Sequence, residues 1–478
     1  MKTVFISGNF NIIHPGHLRL FRFAKEIGDR LVVTVFSDRI AGNAAFVPEQ
    51  LRLESLQSNS WIDEAFIVDE PISNVIRRIK PDIIVKGKEH ENQFNSEEEA
   101  IDGYGGKLVF SSGEVIFSSF DLIQKELQYN LPPFVEIPKD YLKRHNLSTA
   151  ALGQRIKNFK DLRVLVIGDI IIDEYITCDP LGMSQEDPTI VVTPVETKKF
   201  IGGAGIVAAH AAGLGAQVDF VSVTGADITR EFAIEKLHDY NVNFSLFKDE
   251  NRPTTLKQRY RSKNKTLLRV SYLHQGSINI DIQEEILKKV KEILVKCDLL
   301  IFSDFNYGCL PTGMVKQLIK IAKKNNVYIV ADSQSSSQTG DISRFTGMSL
   351  LTPTEREARL SVRDNESGLV ILAEKLRKIA NARNILLKIG HDGVLIHAES
   401  ISTSGQSWLT DRIPALHPAP LDVAGAGDSM LIASAMSLSC GASIWEAAAI
   451  GSIAAAVQVS RVGNIPIQTD ELLRQLQQ

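Results

Sequence analysis

Residues 422–429 read Asp422-Val423-Ala424-Gly425-Ala426-Gly427-Asp428-Ser429, and most of the chain makes sense as a scaffold around them. The small residues Gly425, Ala426 and Gly427 let backbone N–H groups converge on one point without side-chain obstruction, just where a helix begins. That arrangement cradles an anion. Asp428 falls in the first turn of that helix, where its carboxylate can take a proton from a hydroxyl lying between it and a phosphoryl group in the cradle. A glycine-rich loop capped by an acid fits the same residues, because carboxylates favour helix starts in any case. The surrounding chain has to separate the two.

Upstream, residues 164–169 form a buried-type strand ending in Asp169, with Asp173 four residues on. Gly202-Gly203-Ala204-Gly205 precedes an alanine-rich helix, and residues 189–195 and 254–270 are strand-like. Downstream of Asp428, Gly441 ends one helix and Ser443-Ile-Trp-Glu446 is a capping-box start for the next. Taken together, residues 163–478 resemble the ribokinase-like sugar kinases. The resemblance implies that Asp428 is the catalytic base, and that Gly425, Ala426 and Gly427 hold the phosphate. It further implies that Gly390 and Gly393 shape a nucleotide loop, that Glu357 organises magnesium and phosphate, and that Asp173, Gly202 and Gly203 meet the sugar. Lys257, Arg259 and Arg269 on a small antiparallel lid would give a positive pocket for a phosphate already on the substrate; a solvated basic face is the competing account. The chain departs from the family pattern at Ile206 and Thr354, both asparagine positions, and at Lys388, a threonine position. Tyr307 and Gln334 stand where the heptose kinases carry lysine.

The first residues carry a second pattern. Residues 4–7, 31–36, 65–68, 83–85 and 108–110 are short apolar runs between amphipathic segments, so a strand, glycine loop, helix, strand unit opens a small parallel sheet. Its loops at the strand carboxyl ends are the default ligand site. Gly8-Asn-Phe10-Asn-Ile-Ile-His14-Pro-Gly-His17 follows the first strand. Two imidazoles beside exposed helix-start N–H groups suit the charge that builds on a nucleoside α-phosphate under attack by another phosphate. His17 as a helix cap and His14 as a packing residue is the competing account. This stretch resembles the cytidylyltransferase-like nucleotidyltransferases. The resemblance makes His14 and His17 transition-state stabilisers and places Gly8, Phe10, Arg52, Lys86, Ser118 and Ser119 around the nucleotide, although Ser118 and Ser119 serve equally as helix caps. Asn11 stands where the heptose enzymes carry aspartate.

The 53 basic and 57 acidic residues leave a formal charge of −4, which argues against a nucleic-acid footprint and suits small anionic substrates. Four cysteines without Cys-x-x-Cys spacing give neither a disulfide framework nor a zinc site. With no apolar run of ~18 residues and no signal-like start, a cytoplasmic protein without membrane contact is expected.

The expected architecture is α/β: two doubly wound domains, an N-terminal Rossmann-like nucleotidyltransferase (1–130) and a C-terminal ribokinase-like domain with a β lid (161–478), joined by a proline-bearing linker (131–160). Together they resemble the bifunctional heptose 7-phosphate kinase and heptose 1-phosphate adenylyltransferase family, in reversed order. ATP, Mg2+, sugar phosphates and a homodimer built through the lid are what that family implies. A nucleotidyltransferase whose kinase-like half only binds or dimerises is the alternative.

Overall fold

The computed structural model describes residues 2–13, 15–87, 96–101, 103–111, 135–184, 186–262, 265–334, 340–399 and 408–477. It divides into two compact units, Met1–Pro132 and Pro133–Gln478.

In the first unit the strands are β1 (Thr3–Gly8), β2 (Arg30–Phe36), β3 (Glu64–Val68), β4 (Ile83–Gly87) and β5 (Lys107–Ser111). They stand in the order β3-β2-β1-β4-β5, and every pairing is parallel. The apolar runs are continuous because both faces are covered: Val4 and Ile6 pack into one core, Phe5 into another. The strand order reverses between β1 and β4, so the crevice opens at their carboxyl ends, Gly8 and Gly87.

The second unit adds β6 (Arg163–Gly168), β7 (Ile170–Met183), β8 (Ile190–Gly203), β9 (Gln217–Thr224), β10 (Asn243–Lys248), β11 (Leu256–Ser262), β12 (Lys265–Tyr272), β13 (Leu299–Asp304), β14 (Tyr328–Ser333), β15 (Leu350–Leu351), β16 (Asn384–Lys388), β17 (Val394–Glu399) and β18 (Trp408–Ile413). The main sheet runs β10-β9-β6-β13-β14-β15-β16-β17-β18. It is parallel as far as β16 and antiparallel at its last two pairings. Alternate residues of β6 feed opposite faces, Val164 and Val166 to one core and Leu165 and Ile167 to the other. The lid is a separate sheet, β12-β11-β7-β8.

Three features differ from expectation. The lid is not antiparallel throughout: β12 and β8 pair antiparallel with their neighbours, but β11 runs parallel to β7. The strand expected to stop at Asp169 is followed at once by β7, which continues to Met183 as a lid strand. Its alternation is obscured by Pro180 and by register shifts at Thr177/Cys178 and Pro180/Gly182, which a period-of-two pattern does not survive. In the stretch 131–160, taken as a linker on its prolines, Val135 and the helices Lys139–Arg144 and Thr149–Lys157 belong to the second unit. Leu152, Ile156 and Phe159 are buried in one core with Leu472 and Leu476 of the C-terminal segment. Ser148 caps the second of these helices by accepting from Ala151 N–H. No described helix is long and apolar enough to cross a membrane.

Phe159 is fully buried, so Phe159→Ala is expected to lower unfolding free energy in urea by ~3–5 kcal/mol. A change below ~0.5 kcal/mol, the level of an uninvolved surface position, would return the segment to linker status.

Candidate active sites

A cavity of about 730 Å³ lies in the second unit and gathers residues from many separate parts of the sequence. Its floor is the start of the helix Ala426–Ser439. Gly425 sits there with φ +78°, and a Cβ at that position would collide with Asn464 Oδ1, so only glycine makes this turn. Asp422 holds the loop in place, accepting from Tyr175 Oη at 2.9 Å and from Gly463 N–H at 3.1 Å. Asp428 follows in the first turn, facing the cavity, and Gln334 Nε2 donates to its Oδ1 at 3.1 Å.

Burial raises the Asp428 carboxyl from its ordinary 3.8 to about 7, helped by the negative charge of Asp332 and opposed by Lys388. A carboxyl poised there can both hold and release a proton near neutrality. Lys388, at the end of β16, places Nζ 3.0 and 3.2 Å from the two oxygens of Asp332. Burial works against its charge, but the surrounding Asp332, Glu357 and Asp428 outweigh it and keep the ammonium protonated.

The lid supplies the other wall. Arg259 is hydrogen-bonded to Asp173 Oδ1, and Asn464 Nδ2 donates to Asp173 Oδ2 at 3.3 Å. Gly202 is required behind that pair, because a Cβ there would run into the Asp173 carboxylate. Lys257 Nζ lies 5.3 and 5.1 Å from the ring centroids of Phe305 and Tyr307, close enough for cation–π attraction. Arg269 also lines the cavity, as do Gly203, Gly390, Gly393 and Glu357. Pro414, Leu416, Val423, Ala455 and Val459 make one part of the wall apolar, suited to a nucleobase.

The departures from the family pattern take different forms. Ile206 is fully buried in the core. Thr354 closes a capping box with Glu357: its hydroxyl accepts from Glu357 N–H at 3.3 Å, and Glu357 Oε2 accepts from Thr354 N–H at 2.7 Å. Gln334 bonds Asp428, and Tyr307 backs Lys257. Asn464 has only the turn Gly463-Asn464 as a local signal in the sequence, and nothing there announces a partner 291 residues away.

A divalent ion carried by a nucleotide needs only one or two protein carboxylates. Glu357 lines the cavity and fits that part, whereas Asp332 is already matched by Lys388. Among the described residues no cluster of three or more His, Cys, Asp or Glu is placed to hold a metal by itself.

In the first unit the structure brings Gly8, Phe10 and His17 together. Phe10 has φ +44° and packs edge-on against His17, centroids 5.0 Å apart. His17 Nδ1 lies 3.1 Å from Ile12 O, which fixes the ring and turns Nε2 away from that carbonyl. Two expected nucleotide contacts are spent elsewhere. Arg52 is fully buried and donates to Val47 O at 2.7 Å, Asn9 O at 2.8 Å and Asp38 Oδ1 at 2.5 Å, so it braces the loop after β1. Lys86 Nζ is paired with Glu97 Oε1 at 2.8 Å, which draws it toward the helix Ser96–Ile101. Asn11 clamps a neighbouring turn, donating to Ala44 O and accepting from Phe46 N–H, each at 2.8 Å. His14, Ser118 and Ser119 lie outside the described residues.

Residues 161–470 match the family described as pfkB family carbohydrate kinase, and residues 5–111 match the family described as cytidylyltransferase-like. Among curated relatives, proteins named Bifunctional protein HldE are similar. The one from Desulfatibacillum aliphaticivorans is 32% identical over 67% of this chain and 64% of its own length, and that from Helicobacter hepaticus is 31% identical over 66% and 64%. The chain thus covers a little under two thirds of these relatives. Phosphofructokinase-2 from Escherichia coli shares the fold of the second unit at TM-score 0.53 and 18% identity, covering 66% of this chain and 98% of its own. Ribokinase from Arabidopsis thaliana does so at TM-score 0.51 and 19% identity, covering 66% and 99%.

Because the folded state raises the Asp428 pKa, it binds a proton that the unfolded chain has already released between about 3.8 and about 7. Wild-type stability therefore falls as pH rises through that window. Asp428→Asn, which keeps an acceptor for Gln334 and carries no charge, is expected to be more stable than wild type at pH 8 by an amount on the order of 1–4 kcal/mol. Denaturant titrations should show the difference vanish near pH 4.

Proposed function

The chain belongs to the pfkB family of carbohydrate kinases, and from that premise we propose that it is a bifunctional enzyme of nucleotide-activated heptose synthesis. The second unit transfers the γ-phosphoryl of ATP to the anomeric hydroxyl of heptose 7-phosphate. The first unit joins heptose 1-phosphate to the adenylyl group of ATP and releases pyrophosphate. The observation that carries the kinase reading is Asp428, poised to about 7 in the first turn behind Gly425, in one cavity with the cationic lid residues Lys257, Arg259 and Arg269.

In that cavity the ionised Asp428 takes the proton of the anomeric hydroxyl. The oxygen bonds to the γ-phosphorus as the bond from that phosphorus to the ADP oxygen breaks, and the helix-start N–H groups at Gly425, Ala426 and Gly427 face the developing charge. Lys257, Arg259 and Arg269 receive the phosphate already on the sugar, and Asp173 its hydroxyls. Magnesium, when bound with the nucleotide, supplies positive charge to the phosphate oxygens, and Glu357 is the residue that would touch it. In the first unit an oxygen of the sugar phosphate attacks the α-phosphorus and pyrophosphate leaves. There the fixed ring of His17 supports the charged transition state, and Gly8 lets the backbone approach the phosphates.

A homodimer through the lid is supported by apolar side chains exposed on its strands, among them Leu181, Met183, Ile190 and Val195. A cytoplasmic setting follows from substrates of this kind, and the four cysteines are all free.

ATP turnover with purified heptose 7-phosphate should fall by ~10²–10⁴ in Asp428→Asn. Wild-type kcat/KM should fall about tenfold per unit as pH drops below about 7, because only the ionised carboxylate accepts a proton. His17→Ala should impair conversion of heptose 1-phosphate and leave the kinase reaction intact. Equal inertness of wild type and Asp428→Asn toward ATP, with His17-dependent conversion still present, would make the second unit a binding or dimerising module.

A further inference from the structure

We propose that Lys388 is a built-in cation of the phosphoryl-transfer site, whose ammonium meets the terminal phosphate of the bound nucleotide beside Gly427. The inference rests on the kinase reading above and adds to it a residue that contacts the transferring group.

Position comes first. Lys388 is the last residue of β16 and opens the turn that contains Gly390. Its side chain lines the same cavity as Asp428. A Cβ placed on residue 427 would lie 3.1 Å from Nζ, so the absence of a side chain at Gly427 is what leaves the ammonium room against the helix start. The lysine head and the convergent N–H groups thus face one volume.

Charge balance comes second. Asp173, Asp332, Glu357 and Asp428 are all buried around this cavity. A nucleotide brings further negative charge among them, and a helix start offers only about half an elementary charge in return. Lys388 offers a whole one, held next to Asp332, Glu357 and Asp428.

Donor count comes third. An ammonium has three N–H groups, and among the described residues only Asp332 accepts from Lys388, through its two oxygens. The pairing with Asp332 therefore leaves capacity for a phosphate oxygen, and it holds the long side chain in one place before the nucleotide arrives. Threonine, the residue of the family pattern, has no charge to contribute here.

A lysine serving only as the counter-ion of Asp332 would be indifferent to whether the nucleotide carries a third phosphate. Calorimetric titration of the full chain with ATP and with ADP, in excess EDTA to remove divalent ions and with nucleotide binding to the first unit fitted as a separate, Lys388-independent class of site, separates the two roles. Wild type is expected to bind metal-free ATP at least about tenfold more tightly than ADP, the size of one charge-assisted hydrogen bond. Lys388→Thr and Lys388→Met should bring the ratio close to one with ADP affinity within about twofold of wild type, and Lys388→Arg should keep part of the preference. A ratio unchanged in the neutral variants, or an equal loss for both nucleotides, overturns the proposal. Should those variants fail to melt cooperatively, the wild-type ratio decides, and a value near one overturns it. If wild type binds neither nucleotide even with magnesium present, the kinase reading itself fails and Lys388 loses its role with it.

Discussion

Four carboxylates buried around one cavity form the constraint on which the second unit depends. A carboxylate removed from water must be neutralised by a proton, a cation or hydrogen bonds. Each of the four has a different solution. Asp173 has Arg259 and Asn464, Asp332 has Lys388, Glu357 has the Thr354 N–H, and Asp428 has a single amide from Gln334. The least compensated of them, Asp428, is raised furthest, to about 7, while burial lifts Asp332 to about 6 against the pull of Lys388.

These partners come from far apart in the chain, so the cavity exists only when the main sheet and the lid are both formed. β7 joins them. It leaves the sheet directly after Asp169, whose carboxylate accepts from the N–H groups of Phe305, Tyr307 and Cys309 at 2.8, 3.3 and 3.1 Å. Four residues on it presents Asp173 to the cavity, and it then runs out into the exposed lid. The lid strand is thereby anchored at its root, beside the cavity that Asp173 lines.

Much of this was legible in the sequence. Continuous apolar runs announced the parallel strands of the first unit and β6 of the second, and the capping box at Ser443 and Glu446 formed as written. The helix start at Gly425 was readable because glycine, small residue and acid must be adjacent in sequence to build it. What could not be read were contacts closed by the fold. Arg52 and Lys86 sit at plausible positions for phosphate, yet each found a nearer acceptor in its own unit, and sequence spacing carries no record of that competition. Gln334 and Asn464 act through partners brought near only by the sheet. The prolines before residue 139 suggested a join because proline breaks regular structure locally, while the burial that decides membership was supplied by a segment more than 300 residues later, as Tyr141 Oη donating to Trp445 O shows.

That last arrangement ties the beginning of the second unit to its end. The helix Thr149–Lys157 near the start of the second unit and the helix Thr469–Gln475 near its finish lie side by side, with Leu473 and Leu476 beside Gly153. The opening and closing helices therefore bury one shared layer of apolar side chains, among them Leu152, Ile156, Leu472 and Leu476, and trimming the unit at either end uncovers the same part of its core.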